Sequence, residues 1–236
     1  MTQQGDEVAG KVYLVGAGPG AVDYLTVRAY HLLQTAAVLV HDALVSAELL
    51  DLLPLGCERV DVGKRGGKPS PAQSEIDQLL VNLCQQGHQV VRLKSGDPFI
   101  FGRSASEIQA LKAAECAFEV VPGISSALAA PLLVGIPLTD PVLSSQFVVL
   151  TAHDLDLHNW EALACMATLV ILMGGRSLGE ITQRLVHWGK RGETPVAVIR
   201  WAGQPQQQIW SGTLLTIAQQ TKGERLSPCI IVIGEV

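Results

Sequence analysis

The sequence lacks the cysteine patterns of disulfide-bonded and zinc-binding proteins. Its 236 residues include five cysteines, at positions 57, 84, 116, 165 and 229, and no Cys-x-x-Cys pair. An odd, scattered set indicates reduced thiols and a cytoplasmic location. The His and Asp residues at 153–158 do not follow the spacing of metal ligands, so this segment is interpreted as a polar loop. No metal is expected.

Long hydrophobic runs are also absent. Although 48% of the residues are hydrophobic, the longest apolar region, residues 124–138, contains two prolines and a glycine. It is also shorter than the roughly 20 residues of a membrane-spanning helix, so no membrane partner is expected. Residues 1–10 carry two acids and no apolar run, which favours a flexible tail over a signal peptide.

Positive charge is scarce overall but concentrated in one segment. The formal net charge of −5 argues against a nucleic-acid partner. Residues 59–103 nevertheless contain seven Lys or Arg and four acids, which gives this segment a net charge of +3. Such a segment in an acidic chain can attract an anionic small molecule, although a solvated surface would have the same composition.

The order of the predicted elements favours two α/β domains. Strand and helix patterns alternate over residues 11–134, which is typical of a parallel sheet covered by helices. Residues 135–143, rich in glycine and proline, are predicted to link this domain to a second one at 144–236. There, two strand patterns flank Gly203-Gln204-Pro205 and predict a hairpin, and therefore a mixed sheet.

Two glycine-containing turns follow predicted strands of the first domain. They are GAGPGA at 16–21 and SGDP at 95–98. Because ligands of open α/β sheets bind at the carboxyl ends of the strands, this edge is the expected binding site. One interpretation is a nicotinamide-dependent oxidoreductase, in which Asp42, after the second strand, would bind a ribose. Pro19 argues against it, because proline has no N–H to donate to a phosphate.

Eight short motifs extend over nearly the whole chain. They are VYLVGAGPG (12–20), DALVS (42–46), VGKR (62–65), VVRLK (90–94), GDPFIFGR (96–103), VVPGI (120–124), GIPLT (135–139) and MG (173–174). Each is weak alone, but in this order the set closely resembles the uroporphyrinogen-III C-methyltransferases of the tetrapyrrole methylase class. The resemblance implies two α/β domains, with the active site in the cleft between them, and a homodimer.

The same resemblance implies a reaction. The methyl donor would be S-adenosyl-L-methionine, with S-adenosyl-L-homocysteine as its product. The substrate would be the tetrapyrrole uroporphyrinogen III, methylated at C2 and C7 to precorrin-2 for sirohaem or cobalamin synthesis. The substrate carries many carboxylates, which agrees with the basic segment at 59–103.

The resemblance also implies roles for particular residues. Asp42 would accept a proton and Lys64 would donate one, although Asp42 could instead cap a helix and Lys64 could bind a substrate carboxylate. Arg92, Lys94 and Arg103 are candidates for binding substrate carboxylates, on their charge alone. The residues that would bind the methyl donor are Pro19, Ser95, Gly96, Asp97, Ile100, Ser125, Ser126, Met173 and Ala202.

Several positions depart from the family pattern. Ser95 and Ser104-Ala105-Ser106 stand where many members have Gly and Gly-Gly-Glu, and Asp140-Pro141 stands where His-Arg is common. Ala21 replaces a common Asp. These departures leave open which substrate carboxylates are bound and which ring carbon is methylated. A C-methyltransferase that acts on a later precorrin intermediate is therefore an alternative.

Overall fold

Strands and helices alternate through the chain, which divides into two compact units. The computed structural model describes residues 10–63 and 71–236. The boundary along the chain lies between Ser125 and Ser126. Lys64, and the predicted flexible tail apart from Gly10, lie outside the described residues.

The first unit contains a five-stranded parallel sheet. Its strands are β1 (Lys11–Gly16), β2 (Val38–His41), β3 (Glu58–Asp61), β4 (Gln89–Lys94) and β5 (Ala117–Val121). They lie in the order β3-β2-β4-β1-β5, and every neighbouring pair is parallel. The central strands are rich in valine and leucine because helices bury both faces of such a sheet. All five carboxyl ends therefore lie at one edge.

In the part of the chain that the structure describes, four α-helices cover the two faces of this sheet. They are α1 (Val27–Gln34), α2 (Ala47–Leu50), α3 (Gln73–Gln85) and α4 (Ser104–Ala113). Side chains alternate across a strand, so Val91 and Leu93 of β4 pack with α1 and α2, whereas Val90 packs with α3 and α4. Arg92 and Lys94 share the face of Val90, and this face is what brings them to α4.

The second unit contains a mixed sheet. Its strands are β6 (Phe147–Thr151), β7 (Thr168–Leu172), β8 (Pro195–Arg200), β9 (Gln208–Thr213) and β10 (Cys229–Ile233). The order is β6-β7-β10-β8-β9, in which only β6 and β7 pair in parallel. The predicted hairpin is β8-β9. Its helices are α5 (Ser126–Leu133), α6 (Trp160–Ala164), α7 (Leu178–His187) and α8 (Ile217–Gln220).

The boundary between the units lies earlier in the chain than the linker predicted at 135–143. Helix α5 belongs to the second unit because Ala127 and Ala130 pack against Val170, Ile199 and Ile230 of its sheet. The small residues of α5, which sequence reasoning placed in the first domain, allow this close helix–sheet packing. The predicted fold class, a parallel-sheet unit followed by a mixed-sheet unit, is confirmed.

The polar segment at 153–158 forms local structural contacts. Asp154 caps a short 3₁₀ helix by accepting a hydrogen bond from the Asp156 N–H at 3.1 Å. Asp156 pairs with Arg184 at 2.7 Å, and the His158 ring lies 2.6 Å from the Thr151 carbonyl oxygen.

Among the described residues, no helix has the length and hydrophobicity to cross a bilayer.

The carboxylate of Glu119 on β5 should make the free energy of unfolding depend on pH in the acid range. Hydrogen bonds from Arg28 and Lys11 lower the pKa of Glu119 from 4.5 to about 2. Because the folded-state pKa is depressed, this stabilisation is present above pH 4.5 and is lost as the pH falls towards 2. We expect Glu119→Gln to cost about 1 kcal/mol or less at neutral pH, since the pair is partly exposed.

Urea unfolding of both proteins across this pH range measures the effect. The stability difference between them should disappear near the depressed pKa of about 2. Glu224→Gln is the matched control, because Glu224 is exposed and has no ion pair among the described residues. A difference that stays constant with pH would contradict the assignment to Glu119.

Candidate active site at the carboxyl edge of the first sheet

The glycine turns after β1 and β4 bind each other through their backbones. The Gly18 N–H donates to the Gly96 carbonyl at 3.1 Å, and the Gly96 N–H donates to the Gly18 carbonyl at 3.0 Å. Both glycines have positive φ, +65° and +70°, a conformation that side chains with a Cβ rarely adopt. The two turns that were identified separately in the sequence are therefore one structure.

A third strand end lies against the two glycine turns, and the three together are called the glycine floor. Gly123, after β5, lies so close that a Cβ built on it would be 2.3 Å from the Gly96 carbonyl oxygen and 2.7 Å from Gly16. Asp97 ties the turns together, since its carboxylate accepts hydrogen bonds from the Phe99 N–H at 2.8 Å and the Gly123 N–H at 3.3 Å. Backbone atoms rather than bulky side chains thus form the surface at the ends of β1, β4 and β5.

Asp42 follows β2 at the same edge. Its N–H donates to the Leu93 carbonyl at 3.2 Å, which fixes its backbone beside the end of β4. Its carboxylate accepts hydrogen bonds from Arg92 at 2.6 Å and from the Ser95 N–H at 3.3 Å. The side chain is 33% exposed, so this carboxylate is held in place and still reaches solvent.

The burial and pairing of Arg92 and Lys94 do not agree with the expectation that they bind substrate carboxylates. Their side chains are only 4% and 2% exposed, and both pair with Glu107 of α4, at 3.0 Å and 2.6 Å. Their charges are therefore already neutralised inside the protein. Arg103, the third candidate, is exposed and lies in the left-handed region at φ 58° just before α4.

Burial and pairing shift the pKa values of the two buried cations in opposite directions. Burial lowers the pKa of Arg92, but the carboxylates of Asp42 and Glu107 outweigh it and raise that pKa overall. The pKa of Lys94 is lowered, first by burial and then by the neighbouring Arg92 charge, against the opposing effect of Glu107. Arg92 is thus a permanent positive charge behind Asp42.

The predicted donor-binding residues of the first unit lie around the glycine floor. Ser95 and Asp97 flank Gly96, Pro19 is half-buried in the β1 turn, and Ile100 is exposed. The Ser95 Oγ atom is buried and has no hydrogen-bond partner in residues 10–63 and 71–236. Because an unpaired buried hydroxyl is unfavourable, this atom requires a partner such as a water molecule or a ligand. Ser125, after β5, is buried.

The remaining predicted residues lie in the second unit. Ser126 begins α5. Met173 follows β7 and Ala202 follows β8; these strands both run antiparallel to β10, so their carboxyl ends share one edge of the mixed sheet. Met173 is 50% exposed, and the Thr151 hydroxyl donates to its sulfur at 3.9 Å.

Comparison with known proteins identifies the family of this chain. The sequence profile of the family described as Tetrapyrrole (Corrin/Porphyrin) Methylases matches residues 11–218, which is most of the chain. The chain belongs to the tetrapyrrole methylase family.

Relatives within the tetrapyrrole methylases are similar over nearly the whole chain. The uroporphyrinogen-III C-methyltransferase of Synechococcus elongatus is 56% identical over 229 residues, which covers 97% of this chain and 94% of that protein. The crystal structure of uroporphyrin-III C-methyl transferase from Thermus thermophilus complexed with S-adenyl homocysteine superposes with a TM-score of 0.83. It is 35% identical and covers 96% of this chain and 98% of that one.

Longer relatives contain the methylase as one part. Siroheme synthase 1 of Serratia proteamaculans is 45% identical and covers 99% of this chain. The chain spans 50% of the length of that protein. The methylase module therefore occurs both alone and joined to further sequence.

Membership of the methylase family and the topology exclude the nicotinamide interpretation. In that interpretation a helix begins at the glycine turn with free N–H groups. Here the Gly18 N–H is bonded to Gly96, and α1 begins only at Val27. Strand β4 also lies between β1 and β2, and Asp42 pairs with Arg92. The interpretation of residues 16–42 as a dinucleotide site was wrong.

Glu107 is the residue of this methylase that sequence reasoning missed. It is fully buried and holds both Arg92 and Lys94. The available signal was two cations at alternate positions of a buried strand, which require a carboxylate from the helix that covers that face. Ser46 precedes α2 without capping it; its hydroxyl instead donates a hydrogen bond to the Gly20 carbonyl and so contacts the turn after β1.

Proposed function

We propose that this chain is an S-adenosyl-L-methionine-dependent uroporphyrinogen-III C-methyltransferase, which methylates C2 and C7 to give precorrin-2. The observation that carries this conclusion is the 56% identity to the Synechococcus enzyme over 94% of that protein's length. The product is a precursor for sirohaem and cobalamin synthesis. Relatives named siroheme synthase support the first of these destinations.

The glycine floor fits the methyl donor. Gly123 packs so closely on the backbone of Gly96 and Gly16 that no side chain covers this surface, and Ser95 offers an unpaired buried hydroxyl. In this proposal the residues that hold the donor are Pro19, Ser95, Gly96, Asp97, Ile100, Ser125, Ser126, Met173 and Ala202. The bound sulfonium supplies an already activated methyl group, so the protein's contribution is orientation and proton transfer.

Asp42 is suited to accept the proton released when the macrocycle is methylated. Its carboxylate has about four lone-pair positions, and the described contacts use two of them. Arg92 and the Ser95 N–H fix the carboxylate plane, while its 33% exposure leaves it reachable from solvent. Arg103, exposed at the start of α4, is the remaining described candidate for a substrate carboxylate.

Product analysis tests the proposed reaction. The purified protein is incubated anaerobically with methyl-labelled S-adenosylmethionine and uroporphyrinogen III, and the methyl groups on the product are counted and located. Methylation at C2 and C7 supports the proposal. Turnover of a later precorrin intermediate and not of uroporphyrinogen III would instead place the enzyme at a later step, and no transfer to either would contradict a methyltransferase.

Lys64 is proposed as the proton donor of this reaction. We expect Lys64→Ala to lower kcat by about 10²–10⁴-fold, the usual contribution of general acid–base catalysis, and to leave the Kd of S-adenosylhomocysteine unchanged. Steady-state kinetics and calorimetry measure the two quantities. Lys222→Ala, which removes an exposed lysine of the second unit, is the control. A defect confined to donor binding would contradict the assignment.

A homodimer and a cytoplasmic location are further parts of this proposal. Large apolar side chains of the second unit are exposed, including Leu132 at 73% and Val142 at 89%, and a second copy could cover them. The odd, scattered set of cysteines is typical of a reducing compartment. Light scattering of the purified protein measures the assembly, and a monomer at micromolar concentration would contradict the dimer.

A further inference from the structure

Four charged side chains form a continuous chain from the interior to the candidate active site. Lys94 donates to one oxygen of Glu107 at 2.6 Å, and the Arg92 Nε donates to the other at 3.0 Å. The far end of the Arg92 guanidinium donates to Asp42 at 2.6 Å. Two cations and two carboxylates balance, so the cluster is neutral overall.

Glu107 is the fixed point of this cluster. It is fully buried in the first turn of α4, where the helix dipole favours a negative charge. Both of its carboxylate oxygens accept hydrogen bonds, one from Arg92 and one from Lys94, and the Arg92 side chain is itself only 4% exposed. The planar guanidinium fork can bridge two carboxylates in a fixed geometry, which an ammonium group cannot do.

A purely structural role does not account well for this arrangement. Removing charged groups from water is costly, and replacing a buried ion pair by apolar residues of similar size is often neutral or stabilising. The cluster ends on the one member that is substantially exposed, Asp42, at the edge where the glycine turns meet.

We infer that Glu107 is a positioning residue for methyl transfer, which acts on Asp42 through Arg92. Glu107 holds the guanidinium in the plane from which it binds Asp42, and Lys94 balances the second oxygen of Glu107. The inference rests on the proposed role of Asp42 as proton acceptor. Misplacing such a group by about 1 Å can cost on the order of 10²-fold in rate.

The test uses a neutral replacement in the full-length enzyme. E107L/K94M removes one charge of each sign, so the buried charge stays balanced while Arg92 loses its inner partner. We expect kcat to fall by about 10–100-fold, with the Kd of S-adenosylhomocysteine and the KM of uroporphyrinogen III unchanged. E107Q/K94M restores an oxygen acceptor for the Arg92 Nε and should recover most of the lost rate.

A double-mutant cycle separates positioning from a general structural effect. In an Asp42→Asn background, E107L/K94M should cause no further loss of kcat, because its effect passes through Asp42. Three results would overturn the inference. They are the same loss of kcat from E107L/K94M in both backgrounds, an equal loss of donor binding, and no loss of kcat when E107L/K94M is introduced with Asp42 intact. Wild-type turnover by Asp42→Asn alone would remove the proton-acceptor role itself, and this inference with it.

Two further variants keep the test decisive. If E107L/K94M does not fold, Arg92→Lys keeps the charge and removes the fork, and should give the same selective loss of kcat; unchanged kcat would overturn the inference. Asp77→Asn is the matched control, since Asp77 is a buried carboxylate on α3 that bonds Gln73 and Ser106 instead of Arg92. It should affect stability and leave kcat unchanged.

Discussion

We expect Asp42→Asn to reduce methyl transfer by about 10²–10⁴-fold, the range typical of a lost general base. Asparagine keeps the size of the side chain and an oxygen that can accept from Arg92, so the backbone at the end of β2 should stay in place. Binding of S-adenosylhomocysteine should not change. Asp42→Ala should give the same loss of turnover, with an added loss of stability because the buried Arg92 loses one of its two carboxylate partners.

Kinetics and calorimetry on the two Asp42 variants distinguish chemistry from folding. Asp51→Asn is the matched control, because Asp51 is an exposed aspartate at the end of α2 in the same unit. Normal turnover by Asp42→Asn would remove Asp42 from the mechanism. A loss of turnover matched by an equal loss of donor binding would make it a structural residue of the edge.

Gly123→Ala should impair donor binding and stability together. The added methyl group would lie 2.3 Å from the Gly96 carbonyl oxygen and 2.7 Å from Gly16, and both neighbours are backbone. Overpacking of this kind costs about 1–3 kcal/mol. Because the strain falls on the turns that form the floor, we expect a weakening of S-adenosylhomocysteine binding of about tenfold, which corresponds to about 1.4 kcal/mol.

Thermal unfolding with and without S-adenosylhomocysteine measures both effects of Gly123→Ala, since a ligand that binds the folded state raises the Tm. The Tm should fall, and the increase caused by the ligand should shrink. Gly56→Ala is the control: nothing lies within 4 Å of its added methyl group, so neither quantity should fall. Donor binding that survives Gly123→Ala would show that the donor does not depend on this floor.

Much of the architecture could be predicted from local patterns. Valine-rich strands that alternate with helical segments predicted the parallel sheet, and a strand pair around Gly203 predicted the hairpin β8-β9. These features depend on the period of each element, which a sequence displays directly.

Features that depend on packing between distant residues were not predicted. Helix α5 was assigned to the first domain, but its alanines pack on the second sheet. Arg92 and Lys94 were interpreted as substrate-binding cations, because charge is visible in a sequence and burial is not. The Ser46 hydroxyl donates to a carbonyl 26 positions away, a contact that no local pattern displays.

The sequence by itself determined the two α/β units, the family and the identity of the glycine turns, because all of these reside in local periodicity and ordered motifs. Tertiary structure alone decided what those residues do to one another. The strand order places β4 between β1 and β2, and this juxtaposition joins the two glycine turns and brings Arg92 beside Asp42. The physical reason is that pairing partners in a parallel sheet are fixed by long-range crossovers, so the charge that faces Asp42 comes from 50 positions further along the chain.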